Sequence, residues 1–183
     1  MAIMEKEVIS LGTMSVKGDV YITDPCFNTD TWCMGLIEMK KGEYNCFAHL
    51  FDCGIWGERI GILEIILNNE IGTSLRTDNL GLNIGVDSGQ AGFFNKNYYE
   101  NYHHSHFIDE NSEDEKWYKR VCDITLSDDN CGVIDDEGVV SESGYGDGCY
   151  DVYGYYNDND ELVGLKLVFI WEEDEEENDE DYE

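Results

Sequence analysis

Apolar residues fall on alternate positions over much of this chain. Across residues 43–51 the side chains of Tyr44, Cys46, Ala48 and Leu50 recur at period two, the mark of a strand with one buried face. Val20, Tyr21, Ile22 and Thr23 form a short run of β-formers that Asp24-Pro25 closes. Residues 7–11, 82–86, 139–143, 149–156 and 162–170 read as further strands, and 91–94 continue the pattern after a turn. Residues 59–67 are more continuously apolar and predict a central strand. Asn157-Asp158-Asn159-Asp160 predicts a hairpin turn. The period changes over residues 113–125, where Trp117, Val121 and Ile124 follow helical spacing. Ser112 and Glu115 form a capping box there, and acids crowd the first turn as the helix dipole favours. A second short helix is predicted over residues 29–39, starting near Thr29 or Asp30.

These elements amount to seven to nine strands and two short helices. Strands and helices do not alternate, which argues against a parallel α/β sheet. The expected fold is mainly β (α+β): an antiparallel, sandwich-like or partly rolled sheet with a helix packed at one side. At 183 residues the chain fits one domain, residues 1–171, followed by an acidic tail over 172–183. The tail holds ten acids in twelve residues and is expected to be disordered.

Charge alters the picture most. The chain has 41 acidic and 11 basic residues, a formal net charge of −30. The last 61 residues carry only one base, Lys166. Independent binding to nucleic acid or an anionic membrane is therefore not expected, because phosphate contacts depend on Lys and Arg. The first ten residues lack the basic-then-apolar run of a signal peptide, and no apolar stretch is long enough to span a bilayer. A cytoplasmic setting follows as the expectation. The seven cysteines are odd in number and show no C-x-x-C spacing, so reduced, mostly buried thiols are expected.

Two segments combine glycine with Asp and Ser between strands. One runs Gly85-Val86-Asp87-Ser88-Gly89-Gln90-Ala91-Gly92-Phe93-Phe94, the other Ser141-Glu142-Ser143-Gly144-Tyr145-Gly146-Asp147-Gly148-Cys149-Tyr150. Glycine permits positive φ and close backbone approach there. With the early Ile22-Thr23-Asp24-Pro25, the Trp56-Gly57-Glu58-Arg59 segment and a final hairpin, these loops resemble a bacterial and phage family, domain of unknown function 4241. The resemblance covers most of residues 8–170 and implies one domain. It implies no catalytic residues.

One reading brings Asp24, Asp87 and Asp147 to a common rim, where they bind a divalent metal or polar ligand with help from Ser88, Gln90 and Ser143. The other makes both loops tight turns whose Asp and Ser side chains satisfy their own backbone. His103, His104 and His106 offer a weaker metal alternative, read otherwise as an exposed loop. No nucleophile elbow, P-loop, dinucleotide fingerprint or complete EF-hand loop is present. No cofactor is expected.

The leading expectation is a non-enzymatic protein that binds a basic partner. Its sharpest form is a phage or mobile-element anti-defence inhibitor that mimics nucleic acid against a basic nuclease. The acidic face assigned to that contact comprises Asp135, Asp136, Glu137, Glu142, Asp151, Asp158, Asp160 and Glu161. The alternatives are a metal-dependent hydrolase or nuclease, or a small-ligand binder, at the glycine-rich loops.

Overall fold

The computed structural model of the protein describes residues 2–103 and 111–172. Among them, eleven strands form two antiparallel sheets. In chain order they are β1 (Met4–Val16), β2 (Asp19–Thr23), β3 (Gly35–Glu38), β4 (Gly42–Asp52), β5 (Glu58–Leu67) and β6 (Arg76–Val86). Then come β7 (Gln90–Asn95), β8 (Cys131–Ile134), β9 (Gly138–Glu142), β10 (Gly148–Tyr156) and β11 (Leu162–Val168). Helices α1 (Lys96–Glu100) and α2 (Glu113–Thr125) lie between β7 and β8. One sheet has the order β1-β4-β5-β11-β10-β6 and the other β3-β2-β7-β9-β8. The mainly β, sandwich-like expectation holds, with more strands than predicted. No helix of the described residues is long and apolar enough to cross a membrane.

The period-two pattern explains the main core. Tyr44, Cys46 and Ala48 of β4 point inward beside Leu63 and Ile65 of β5 and Leu165 and Leu167 of β11, all fully buried. Ile22, Phe93 and Val139 of the second sheet close the same core from the other side. The second sheet's opposite face carries a separate aromatic cluster of Tyr21, Phe94, Tyr99 and Trp117 under α1 and α2. Three layers result: sheet, sheet, helices. Helix α2 forms as its sequence predicts, with Ser112 Oγ accepting the Glu115 N–H at 3.2 Å.

The helix expected over residues 29–39 does not form. Two turns occupy its first half, and Gly35 to Glu38 pair with β2 as a strand. Sheet pairing overrides local helical spacing here. Gly35 lets the strand lie against Ile84, since a Cβ there would sit 3.0 Å from that side chain. Residues 173–183 of the expected disordered tail lie outside the described residues.

The outer face of the six-stranded sheet carries a polar network. The His49 ring contacts Glu5 at 2.6 Å and Glu64 at 2.9 Å. Tyr155 donates its hydroxyl to Glu64, and Lys166 lies opposite Glu64 across the β5–β11 pair. Burial opposes charge on His49, but the two carboxylates outweigh it and raise its pKa above 6.5. Burial likewise opposes charge on Glu64, yet His49 and Tyr155 hold its pKa below 4.5. The His49 contribution to stability is complete below pH 6.5 and fades as pH rises through the raised value. The Glu64 contribution is complete above pH 4.5 and fades as pH falls through the lowered value. Urea unfolding as a function of pH should therefore show the largest excess stability of the wild type over His49→Gln between those limits. A difference independent of pH would contradict this.

Candidate functional site

The strand β2 stops at Asp24, whose side chain is wholly buried. A bare carboxylate there would be very costly. This one accepts four hydrogen bonds, two on each oxygen. Oδ1 takes the Cys26 N–H at 2.9 Å and the Ser88 hydroxyl at 2.6 Å. Oδ2 takes the N–H groups of Asp87 at 2.8 Å and Ser88 at 2.7 Å. The end of β2 is thereby tied to the turn between β6 and β7. Burial, reinforced by the nearby Asp24, pushes the Cys26 thiol up to about 12, so it stays protonated at neutral pH.

The second glycine loop rests on the first. Ser143 donates its N–H to the Gly89 carbonyl at 3.0 Å, next to the Gln90–Glu142 pair of β7 and β9. Within the loop Ser143 Oγ donates to the Gly146 carbonyl at 2.8 Å. The Tyr150 hydroxyl donates to the same carbonyl at 2.5 Å and to that of Ser143 at 3.1 Å. Gly144 has φ of +58°, and a Cβ on it would meet Ile170 at 2.9 Å, so only glycine suits both the conformation and the space.

The two loops therefore meet, but their polar groups face two ways. Asp24, Ser88 and Ser143 are engaged within the structure. Gln90 accepts from Thr125 Oγ1 at 2.6 Å and so ties β7 to α2. Asp87 and Asp147 are exposed, and both line one open cleft of about 480 Å³ with Phe27, Trp32, Gly85 and Gly148. Among the described residues no three His, Cys, Asp or Glu side chains are grouped to hold a metal ion. His103 stacks on Tyr99 with ring centroids 4.0 Å apart, while His104 and His106 lie outside the described residues. All seven cysteines are free.

The eight acids assigned to a partner face do not share one end of the sandwich. Strand register places the loops after Thr23, Asp52, Val86 and Glu142 at one end. The turn over residues 135–137 and the hairpin turn over 157–161 lie at the other. At that far end Arg120 grips Asp135 with two contacts of 2.7 Å. Lys17 pairs with Glu137, Arg76 with Asp160 and Lys40 with Glu161. Asp136 and Asp158 are exposed. Asp151 accepts from Asn83 at 2.9 Å. Glu142, at the glycine-loop end, is half-buried and accepts the Ile60 N–H at 3.2 Å; burial raises its pKa above 4.5.

Sequence reasoning counted Tyr145 among possible aromatic anchors but assigned no contact to Trp32, Ile55 or Trp56 at the glycine-loop end. Trp32 is 91% exposed, Ile55 96%, Trp56 64% and Tyr145 53%. Trp56 and Tyr145 meet edge to face at 6.5 Å. A readable signal existed for Ile55-Trp56, which sit in a glycine-flanked segment where no strand period calls for a large apolar residue.

Removing the Asp24 carboxylate should unlock this end of the molecule. Asp24→Ala strands three N–H groups and a hydroxyl, and should cost about 3 kcal/mol or more in urea unfolding. Amide exchange at Asp87 and Ser88 should accelerate together. Asp147→Asn, at an exposed carboxylate, should stay within about 0.5 kcal/mol of wild type.

A family model described as a protein of unknown function, DUF4241, matches residues 64–167. That stretch holds both glycine loops and the final hairpin, while Asp24, Trp32 and Trp56 precede it. No curated protein and no solved structure matches the chain. The matched stretch covers more than half of the sequence, and the chain belongs to the DUF4241 family of unknown function.

Proposed function

We propose that this protein is a non-enzymatic binding module whose partner is a basic polypeptide. One observation carries the reading. Eight of the eleven basic residues, namely Lys6, Lys17, Lys40, Arg76, Lys96, Lys116, Lys119 and Arg120, are held in ion pairs with the protein's own carboxylates. The remaining acids greatly outnumber the remaining bases, so the outward field is strongly negative. Such a field speeds encounter with a cationic protein and makes the association sensitive to salt. The exposed aromatic residues at the glycine-loop end supply the apolar anchors that charge alone lacks.

The sharpest form of the proposal is inhibition of a basic nuclease of a bacterial defence system, inside the host cytoplasm. A nucleic-acid groove is the protein surface whose charge is most opposite to this one. The ion pairs at Asp135, Glu137, Asp160 and Glu161 leave fewer free carboxylates for such mimicry than their number suggests. Metal-dependent hydrolysis draws less support, because the four donors on Asp24 already use both oxygens of its carboxylate.

Affinity capture from a bacterial lysate tests the reading, with the full chain and a chain ending at Glu172 immobilised side by side. A basic protein should be retained at low salt by both and released as salt rises. Retention of nothing by the full chain, or of a partner that salt does not release, would count against the proposal.

A further inference from the structure

We infer that the cleft bounded by Trp32, Asp87 and Asp147 is a docking site for an arginine or lysine side chain of a basic polypeptide. The inference rests on the binding reading above and gives it a place. It moves the contact from the acidic turns at the far end of the sandwich to the end where the glycine loops meet.

Three features of the cleft favour a cation on an alkyl stem. The first is Trp32, an indole left 91% in water at the wall of the cleft, although it is the residue type with most to gain from burial. Its face attracts a guanidinium or ammonium group, and its apolar surface covers the methylene stem. The second is charge. Asp87 and Asp147 line the same cleft, no Lys or Arg does, and neither carboxylate has a salt-bridge partner among the described residues. The third is that the walls are fixed before any ligand arrives. The Asp87 N–H is held by the buried Asp24 carboxylate at 2.8 Å. The loop carrying Asp147 is clamped by the Tyr150 hydroxyl on the Gly146 carbonyl. The turn carrying Trp32 is joined to β6 where Gly85 donates its N–H to the Cys33 carbonyl at 3.1 Å. Gly85 permits that approach, since a Cβ would lie 2.8 Å from the Cys33 sulfur. A preformed site loses less entropy on binding.

The neighbouring surface suits a polypeptide rather than an isolated cation. Tyr145, two residues before Asp147, packs edge to face on Trp56, and Ile55 beside it is almost wholly exposed. A chain whose basic side chain enters the cleft can lay apolar residues across this aromatic shelf. Buried aromatic anchors of this kind dominate most protein interfaces.

Calorimetric titration of the full chain at low salt with an acetylated, amidated peptide of alternating arginine and glycine tests the site. The wild type should bind, and added salt should weaken binding. Trp32→Ala should weaken it by about 2- to 30-fold. The pair Asp87→Asn and Asp147→Asn should weaken it and flatten its salt dependence. The pair Asp136→Asn and Asp158→Asn removes equal charge at the far end and should leave affinity within about twofold. The Trp32 indole N–H resonance, identified by its loss in Trp32→Ala, should shift during titration. All these positions are exposed, and unchanged thermal unfolding would show that each variant folds. Equal weakening by both charge pairs, with no effect of Trp32→Ala, would overturn the cleft while leaving the general acidic reading in place. Failure of the wild type to bind at low salt would overturn both. Equally tight binding of spermidine, lost in Trp32→Ala, would assign the cleft to a free polyamine and overturn the polypeptide docking site.

Discussion

The architecture of the glycine-loop end depends on one buried carboxylate. Asp24 sits where β2 must stop, and its two oxygens collect four donors from two separate segments. One follows β2 of the five-stranded sheet, and the other is the turn that carries the chain from β6, at the edge of the six-stranded sheet, into β7 beside β2. The carboxylate does across the sandwich what a ladder of backbone bonds does within a sheet. The turn it holds then receives the Ser143 N–H, so the position of the second loop follows from that of the first. A charge is suited to this role because it can satisfy several backbone donors at once, and because leaving it unmet is so costly that the alternatives are suppressed.

Charge distribution follows a second constraint. A compact chain at −30 must limit its own repulsion. The basic residues are used one by one where acids crowd at turns and helix ends. Arg120 on α2 neutralises Asp135 in the β8–β9 turn, and Tyr98 donates its hydroxyl to the same carboxylate. Arg76 binds both Asp78 on its own strand and Asp160 in the β10–β11 turn. Exposed ion pairs add little stability individually. Here their effect is to neutralise cations at the surface, and they sort the carboxylates into those answered by a basic side chain and those left to solvent. Asp87 and Asp147 belong to the second group.

The strands were legible because the period-two pattern is a direct consequence of a sheet with one buried face, as Tyr44, Cys46 and Ala48 show. Helix α2 was legible through Ser112 and its acidic first turn. The segment around Gly35 was not, because its conformation is decided by pairing with β2 and by room beside Ile84, neither of which leaves a local trace. The two glycine loops were legible through their shared composition of Gly, Ser and Asp, but their meeting was not, because the Ser143 to Gly89 bond joins residues far apart in the chain. The direction of each carboxylate was not, because Asp24 and Asp87 look alike in sequence and differ only in which neighbours fold over them. Trp32 shows the same limit from the apolar side. Its type suggests a core position, and only the completed fold reveals that no core reaches it.

Glycine and aspartate are often taken as the active parts of a loop, but here most of them are supports. Gly85, Gly144 and Asp24 let backbones approach and hold them in register. Replacing any of them would alter the shape of this end of the sandwich. What they support is a small set of exposed side chains: an indole in water, two carboxylates with no salt-bridge partner among the described residues, and an edge-to-face aromatic pair at the surface. Keeping these groups rigidly exposed forgoes burial and adds repulsion. That cost falls on the end of the sandwich where the buried Asp24 carboxylate fixes the backbone, so rigidity and exposure are combined in one place.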